Sequence, residues 1–184
     1  MTTTAGNLSA FFPLALVTLV LSSNAQAAQT SMGKSSAELC YQAATFGPAP
    51  EDLQMCTRAI EGEDMTRNDL AATYSNRGIL WVARGQFDRA LDDQNQAISI
   101  NPDSARAYIN RANVQYRLKK YDEALADYSK AIDLSGGRFA VIYYNRSITL
   151  AAVGKRDAAR ADIQHALDLA PGTTAYQNAL EQLQ

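Results

Sequence analysis

The sequence predicts an all-α fold, a right-handed solenoid of helix–turn–helix units closed by a C-terminal capping helix. Two observations predict it: a self-similarity that recurs every 34 or 35 residues, and apolar residues at helical spacing inside each recurring unit. Composition agrees. The 184 residues are 47% hydrophobic and 20% charged, near the globular average, so bulk disorder is excluded. A net charge of −2 lacks the basic excess of a dedicated nucleic-acid binder.

Tyr74-Ser75-Asn76-Arg77-Gly78 recurs as Tyr108-Ile109-Asn110-Arg111-Ala112 and as Tyr143-Tyr144-Asn145-Arg146-Ser147. Later in each unit Ala97-Ile98 recurs as Ala131-Ile132 and Ala166-Leu167. In the first unit Tyr74, Gly78 and Trp81 share one helix, Gly85 breaks it, and Phe87, Ala90, Gln94 and Ala97 continue on a second. Pro102 cannot extend that second helix, because it lacks an N–H and restricts the residue before it. The units therefore run 71–104, 105–139 and 140–173, with the extra residue of the longer spacing beside Gly136-Gly137. Residues 174–184 place Ala175, Ala179, Leu180 and Leu183 on one side of a last helix, which would cover the apolar end of the stack.

On these residues the chain resembles the tetratricopeptide repeat proteins. Tyr74, Gly78, Trp81, Gly85, Phe87, Ala90, Ala97 and Pro102 follow the family pattern; so do Tyr108, Ala112, Tyr121, Ala124, Tyr128 and Ala131, and Tyr143, Ser147, Gly154, Ala159, Ala166 and Pro171. Lys119 stands in place of the turn glycine, Gly136 in place of the proline, and Arg156 in place of an aromatic. Residues 35–70 read as a degenerate fourth hairpin and loop, with Cys40, Ala43 and Ala44 on a first helix, a turn at Gly47-Pro48, and Leu53, Cys56, Ala59 and Ile60 on a second.

Facing residues of an antiparallel hairpin lie symmetrically about its turn. Arg77 and Asp93 do so about Gly85, Arg111 and Asp127 about Lys119, and Arg146 and Asp162 about Gly154. A guanidinium meets a carboxylate in bidentate fashion, so these read as structural ion pairs locking each hairpin. Cys40 and Cys56 are symmetric about Pro48 and read as a disulfide.

The first-helix residues turned from the second helix would line a concave face that holds a protein or peptide. Asn76, Arg106, Asn110, Asn113, Arg117, Tyr144 and Asn145 are its candidate contacts. The same asparagines could instead bridge neighbouring units. Some family members grip a C-terminal carboxylate with Lys, Asn and Arg on successive first helices. Here Ser75 and Val141 occupy the basic places, and Asn76, Asn110 and Arg106 alone resemble parts of that clamp, so chaperone-tail binding of this kind is not expected.

No catalytic residue, metal site or cofactor is expected. His165 stands alone among possible nitrogen ligands, Glu61, Glu63 and Asp64 lack the oxygen order of a calcium loop, and no phosphate cradle or nucleophile elbow occurs. No charged side chain precedes Lys34. The apolar run Phe11 to Leu21, then Ser22-Ser23-Asn24 and Ala25-Gln26-Ala27, has the layout of a secretory signal cleaved after Ala27. Residues 28–34 would be a short disordered lead, and the mature chain periplasmic or secreted, with no membrane span. An uncleaved signal would instead anchor it to a membrane. The function expected is a non-catalytic binding scaffold of the cell envelope; the alternative is a structural protein that self-associates, as a homodimer, through its end helices.

Overall fold

A computed structural model describes residues 35–46 and 52–183, so the expected signal segment and the Gly47-Pro48 turn lie outside the described residues. The described residues form helices and connecting turns. In order they are α1 (Ser36–Phe46), α2 (Asp52–Gly62), α3 (Arg67–Ala83), α4 (Phe87–Ile100), α5 (Ala105–Arg117), α6 (Tyr121–Ser135), α7 (Ala140–Ala152), α8 (Arg156–Leu169) and α9 (Thr174–Gln182). Each odd helix from α1 to α7 pairs with the next even one, and each hairpin packs on its neighbour. The odd helices also touch one another, whereas the even helices of adjacent hairpins do not pair. The stack therefore curves with the first helices on its inside: an all-α helical repeat solenoid.

Local chemistry sets the helix ends. Thr66 accepts a hydrogen bond from the Asp69 backbone N–H while its hydroxyl donates to the Asp69 carboxylate, and Ser104 accepts from the Ala107 N–H. The three intra-hairpin turns share one geometry. Gly85, Lys119 and Gly154 take left-handed backbone, and the N–H groups of Gln86, Lys120 and Lys155 reach back to the carbonyls of Trp81, Gln115 and Leu150. This is a Schellman closure, in which glycine is favoured because a Cβ crowds the backbone. Lys119 adopts it at φ 60°, held by the same two bonds as its glycine counterparts. Gly136-Gly137 ends α6 in left-handed backbone, and Tyr143 Oη sits where a Gly137 side chain would go.

The core is built from small residues against large ones. Ala90, Ala97, Ala124, Ala131, Ala159 and Ala166 are fully buried, which lets the second helices approach closely. One register on from the Arg–Asp pairs, residues 16 apart pack small against large: Gly78 meets Gln94, Ala112 and Tyr128 share one core cluster, and Ser147 and Ile163 are both buried. A Cβ on Gly78 would lie 2.3 Å from the Gln94 amide nitrogen. In the first hairpin the same slot holds Cys40 and Cys56, joined as a disulfide. The neighbouring register, which carries Arg and Asp in the other three hairpins, holds Leu39 and Met55 there. The terminal hairpin has thus exchanged an ion pair for a covalent link. Glu63 supports it by accepting hydrogen bonds from the Ser36 and Ala37 N–H groups at the start of α1.

At the other end α9 docks on α8. Tyr176 stacks on Tyr144 at 4.8 Å, and Arg160 donates to the Leu183 carbonyl at 2.7 Å, where a cation also favours the helix dipole. Ala179, Leu180 and Leu183 are half-buried, but Ala175, expected on the covered side, is exposed; the docking turns the helix so that Tyr176 makes that contact instead.

A 16-residue separation makes the disulfide worth about 3 kcal/mol in the chain-entropy model. Stability in a solenoid is local, so Cys40→Ala/Cys56→Ala is expected to raise amide exchange in α1 and α2 and leave α5 to α8 protected. Hydrogen exchange read by mass spectrometry checks this; unchanged protection of α1 and α2 would contradict it.

Candidate functional site: the inner face of the first helices

Three arginines organise the inner helices. Arg77 donates to both Asp93 oxygens at 2.8 and 2.7 Å, Arg111 to both of Asp127 at 2.7 and 2.8 Å, and Arg146 to both of Asp162 at 2.7 and 2.8 Å. Each Asp is buried and each guanidinium lies against the ring of a tyrosine three residues earlier: Tyr74, Tyr108 and Tyr143. The hydrogen bond to the paired aspartate holds each arginine above its ordinary pKa, against the opposing effect of burial.

The remaining guanidinium nitrogen reaches the preceding hairpin. Arg77 Nη1 donates to Thr57, Arg111 Nη1 to Asn95, and Arg146 Nη1 to Ser129. One side chain therefore ties three helices, α3 to α4 and α2 in the first case. The hairpin symmetry identifies only the aspartate partner. The signal for the other was present: Thr57, Asn95 and Ser129 each stand two residues beyond Met55, Asp93 and Asp127.

A second ladder runs along the inner face. Asn110 donates to Ser75 Oγ at 3.0 Å, and Asn145 donates to Asn113 Oδ1 at 3.1 Å. These asparagines bridge neighbouring units. Ser75 faces the second helix: its hydroxyl donates to Gln94, and the Gln94 amide donates back to the Ser75 carbonyl. The cause is Gly78, whose missing side chain admits Gln94 between the helices.

Asn113, Tyr116 and Arg117 from α5 meet Asn145 and Ile148 from α7 and Val82 from α3 around a groove of about 360 Å³, with Tyr128 at its floor. Tyr128 Oη donates to Asn113 Oδ1 at 2.7 Å. The Asn113 oxygen thus receives two donors, which orients its NH₂ group, and that group makes no hydrogen bond to any described residue. Arg117 is exposed at the last turn of α5 and Tyr116 is half-buried. Of the other residues expected on this face, Arg106 is exposed but does not line the groove, Asn76 is buried at 7% exposure and lines a different pocket, and Tyr144 is covered by Tyr176. His165 packs its ring on Tyr143 at 4.2 Å.

Fold and inner face together define a helical-repeat scaffold with a groove of amides, aromatic rings and one guanidinium. Models described as tetratricopeptide repeat match residues 105–136 and 140–173, and one described as TPR repeat matches residues 80–119. The chain belongs to the tetratricopeptide repeat family. It is similar to the first TPR of Spaghetti (RPAP3) bound to HSP90 peptide SRMEEVD, at 26% identity and TM-score 0.59, over 61% of this chain and 91% of that one. It is similar to the second TPR domain of human RPAP3 in complex with HSP70 peptide SGPTIEEVD, at 25% identity and TM-score 0.61, over 64% and 98%. The MamA RS-1 ArsTM double mutant shares the fold over 82% of this chain and 84% of that one, at TM-score 0.67 and 19% identity. Comparison with curated proteins found no match.

Two outcomes are expected. Arg111→Ala removes one partner of a largely buried pair and should cost about 3–5 kcal/mol, whereas Asn95→Ala, which loses only the inter-hairpin bond, should cost about 1 kcal/mol. Urea unfolding measures both; equal losses would refute the assigned division. Burial pushes the Tyr128 hydroxyl well above its ordinary value of 10.0. Its pKa is raised on folding, so its contribution is complete below pH ~10 and is lost as pH rises above that, where only the unfolded chain ionises. Tyr128→Phe should therefore flatten the fall in stability between pH ~10 and ~11.

Proposed function

We propose that this protein is a non-catalytic scaffold that holds an extended peptide segment of another protein against α5 and α7. The observation that carries the reading is the Asn113 amide. Tyr128 and Asn145 occupy its oxygen and leave its NH₂ directed at the groove, positioned to donate to a peptide carbonyl. Such fixed amides recognise backbone without demanding a side-chain sequence. Tyr116 and Arg117 beside it are the residue types that dominate interface energetics. Two similar TPR domains carry bound peptides, which supports the same use of the fold here. The Lys and Arg places of a carboxylate clamp are filled by Ser75 and Val141, so the ligand is an internal segment rather than a chaperone tail.

The setting we propose is the cell envelope. The apolar run ending in Ala25-Gln26-Ala27 supports export with cleavage after Ala27, and a disulfide fits an oxidising compartment. Among the described residues no helix is long and apolar enough to cross a membrane.

Crosslinking followed by capture, with quantified partner yield, tests the reading. Tyr116→Ala/Arg117→Ala should reduce recovered partner at least about tenfold, the loss of a single interface anchor or more, while Arg106→Ala, outside the groove, should leave it unchanged. Equal recovery by all three forms would remove the groove from consideration. A stable dimer in light scattering whose interface buries Tyr116 would instead assign this face to self-association.

A further inference from the structure

The Asn113 groove takes its residues from the C-terminal halves of α3, α5 and α7, which run into the intra-hairpin turns. Asp and Glu are absent from its described lining residues. Its polar side chains are Asn113, Asn145, Tyr116, Tyr128 and Arg117. Tyr128 is buried at 2% exposure and gives its hydrogen to Asn113, and Asn145 also donates there. The Arg117 guanidinium makes no hydrogen bond or ion pair with any described residue. Asn113 and Arg117 stand four residues apart on α5 and so share one face of it. The groove therefore offers a single charge, a cation, beside an amide whose hydrogens are oriented.

The adjoining turns carry lysines where the backbone disfavours them. Gly85 and Gly154 take the left-handed position of their turns, and Lys119 takes it after α5 at φ 60°. A Cβ crowds that conformation, so glycine is the locally favoured residue. Lys120 and Lys155 stand at the N-caps of α6 and α8 without a side-chain cap bond. A short polar side chain would cap these ends, and a cation opposes the helix dipole. All three lysines are exposed and make no hydrogen bond or ion pair with a described residue. Asp122, Glu123 and Asp157 follow them in the first turns of α6 and α8, yet Arg117, Lys119, Lys120, Lys155 and Arg156 outnumber these acids. Local structure accounts for none of the three lysines. What they share is positive charge along the edge where the groove ends, and strain kept at such a place points to use outside the fold.

We infer that the segment held in this groove is acidic. An Asp or Glu side chain seats its carboxylate on the Asn113 NH₂ and Arg117, and further acids of the same segment lie toward Lys119, Lys120 and Lys155. The inference rests on the groove being the peptide site and specifies the chemistry of its ligand. An exposed ion pair alone contributes little. Selection comes from a charge-assisted bond to a fixed amide, and from an edge of one charge sign that concentrates the opposite sign. None of Ser75, Asn76, Arg106, Asn110 and Val141, at the places of the family's carboxylate clamp, lines this groove, and the acid it takes is a side chain rather than a chain end.

Heteronuclear NMR of the purified protein tests the inference with blocked peptides, acetyl-Ala-Glu-Ala-Glu-Ala-amide and its Gln and Lys counterparts, which have no terminal carboxylate. The Glu probe at millimolar concentration should shift the Asn113 side-chain amide and the Arg117 Nε signal, and the Lys probe should shift neither. Arg117→Gln should weaken Glu-probe binding roughly tenfold with an unchanged melting temperature, and added salt should act in the same direction. Lys119→Gly separates binding from folding: it should raise the melting temperature, because glycine suits the turn, and weaken Glu-probe binding about threefold. A lowered melting temperature would show that the lysine serves the fold and would count against the inference. Absence of a Glu-probe shift, or shifts centred on Arg106, would overturn it. Equal binding of the Glu and Gln probes at Asn113 would refute the acidic ligand and leave the groove a peptide site, whereas partner capture insensitive to Tyr116→Ala/Arg117→Ala would refute the groove itself.

Discussion

Each full repeat hangs on one guanidinium. Its Nε and Nη2 hold the aspartate of the same hairpin, its Nη1 holds a short polar side chain of the hairpin before, and its face lies on a tyrosine ring of its own helix. A planar, delocalised cation with donors in a fixed fork suits three simultaneous partners; a lysine ammonium does not. The arrangement fixes the angle within a hairpin and the angle between hairpins at once. The inner face depends on both, because its groove takes residues from three successive first helices.

The first hairpin lies outside that scheme. At the register of the Arg–Asp pairs it carries Leu39 and Met55, and its helices are joined by the Cys40–Cys56 bond in the slot where other hairpins pack small against large. It still receives a tie from the next unit, since Arg77 donates to Thr57. The stack is therefore bonded noncovalently in its middle and covalently at one end. At the other end α9 closes it through ring stacking and two arginines directed at helix carbonyls.

The asparagine recurring in all three full repeats has two uses. In the second and third units it bridges to the hairpin before and so stiffens the inner wall. In the first full unit the hairpin before lacks the side-chain acceptor, and the same side chain lines a pocket and makes no hydrogen bond to any described residue. The degenerate repeat thus changes the chemistry of its neighbour. Bridging asparagines also free others: Asn145 occupies the oxygen of Asn113 and leaves that amide's hydrogens to the groove.

The helical hairpins, their register, the three Arg–Asp pairs and the disulfide were legible in the sequence. They follow from repeat spacing and from the symmetry of residues about a turn, both of which are properties of numbering. The binding face was legible in outline only. Spacing places Asn76, Asn110, Asn113 and Asn145 on first helices, but which is exposed depends on what the adjacent unit offers. Ser75 turned inward because Gly78 admits Gln94, Tyr144 was covered because α9 brings Tyr176 over it, and Asn76 meets no hydrogen-bond partner among the described residues because Ala37 has no side-chain oxygen. The sequence by itself determined the repeat and the bonds within it; only the tertiary structure decided which amides remain for a ligand, because that depends on partners supplied by neighbouring hairpins at distances no local pattern encodes.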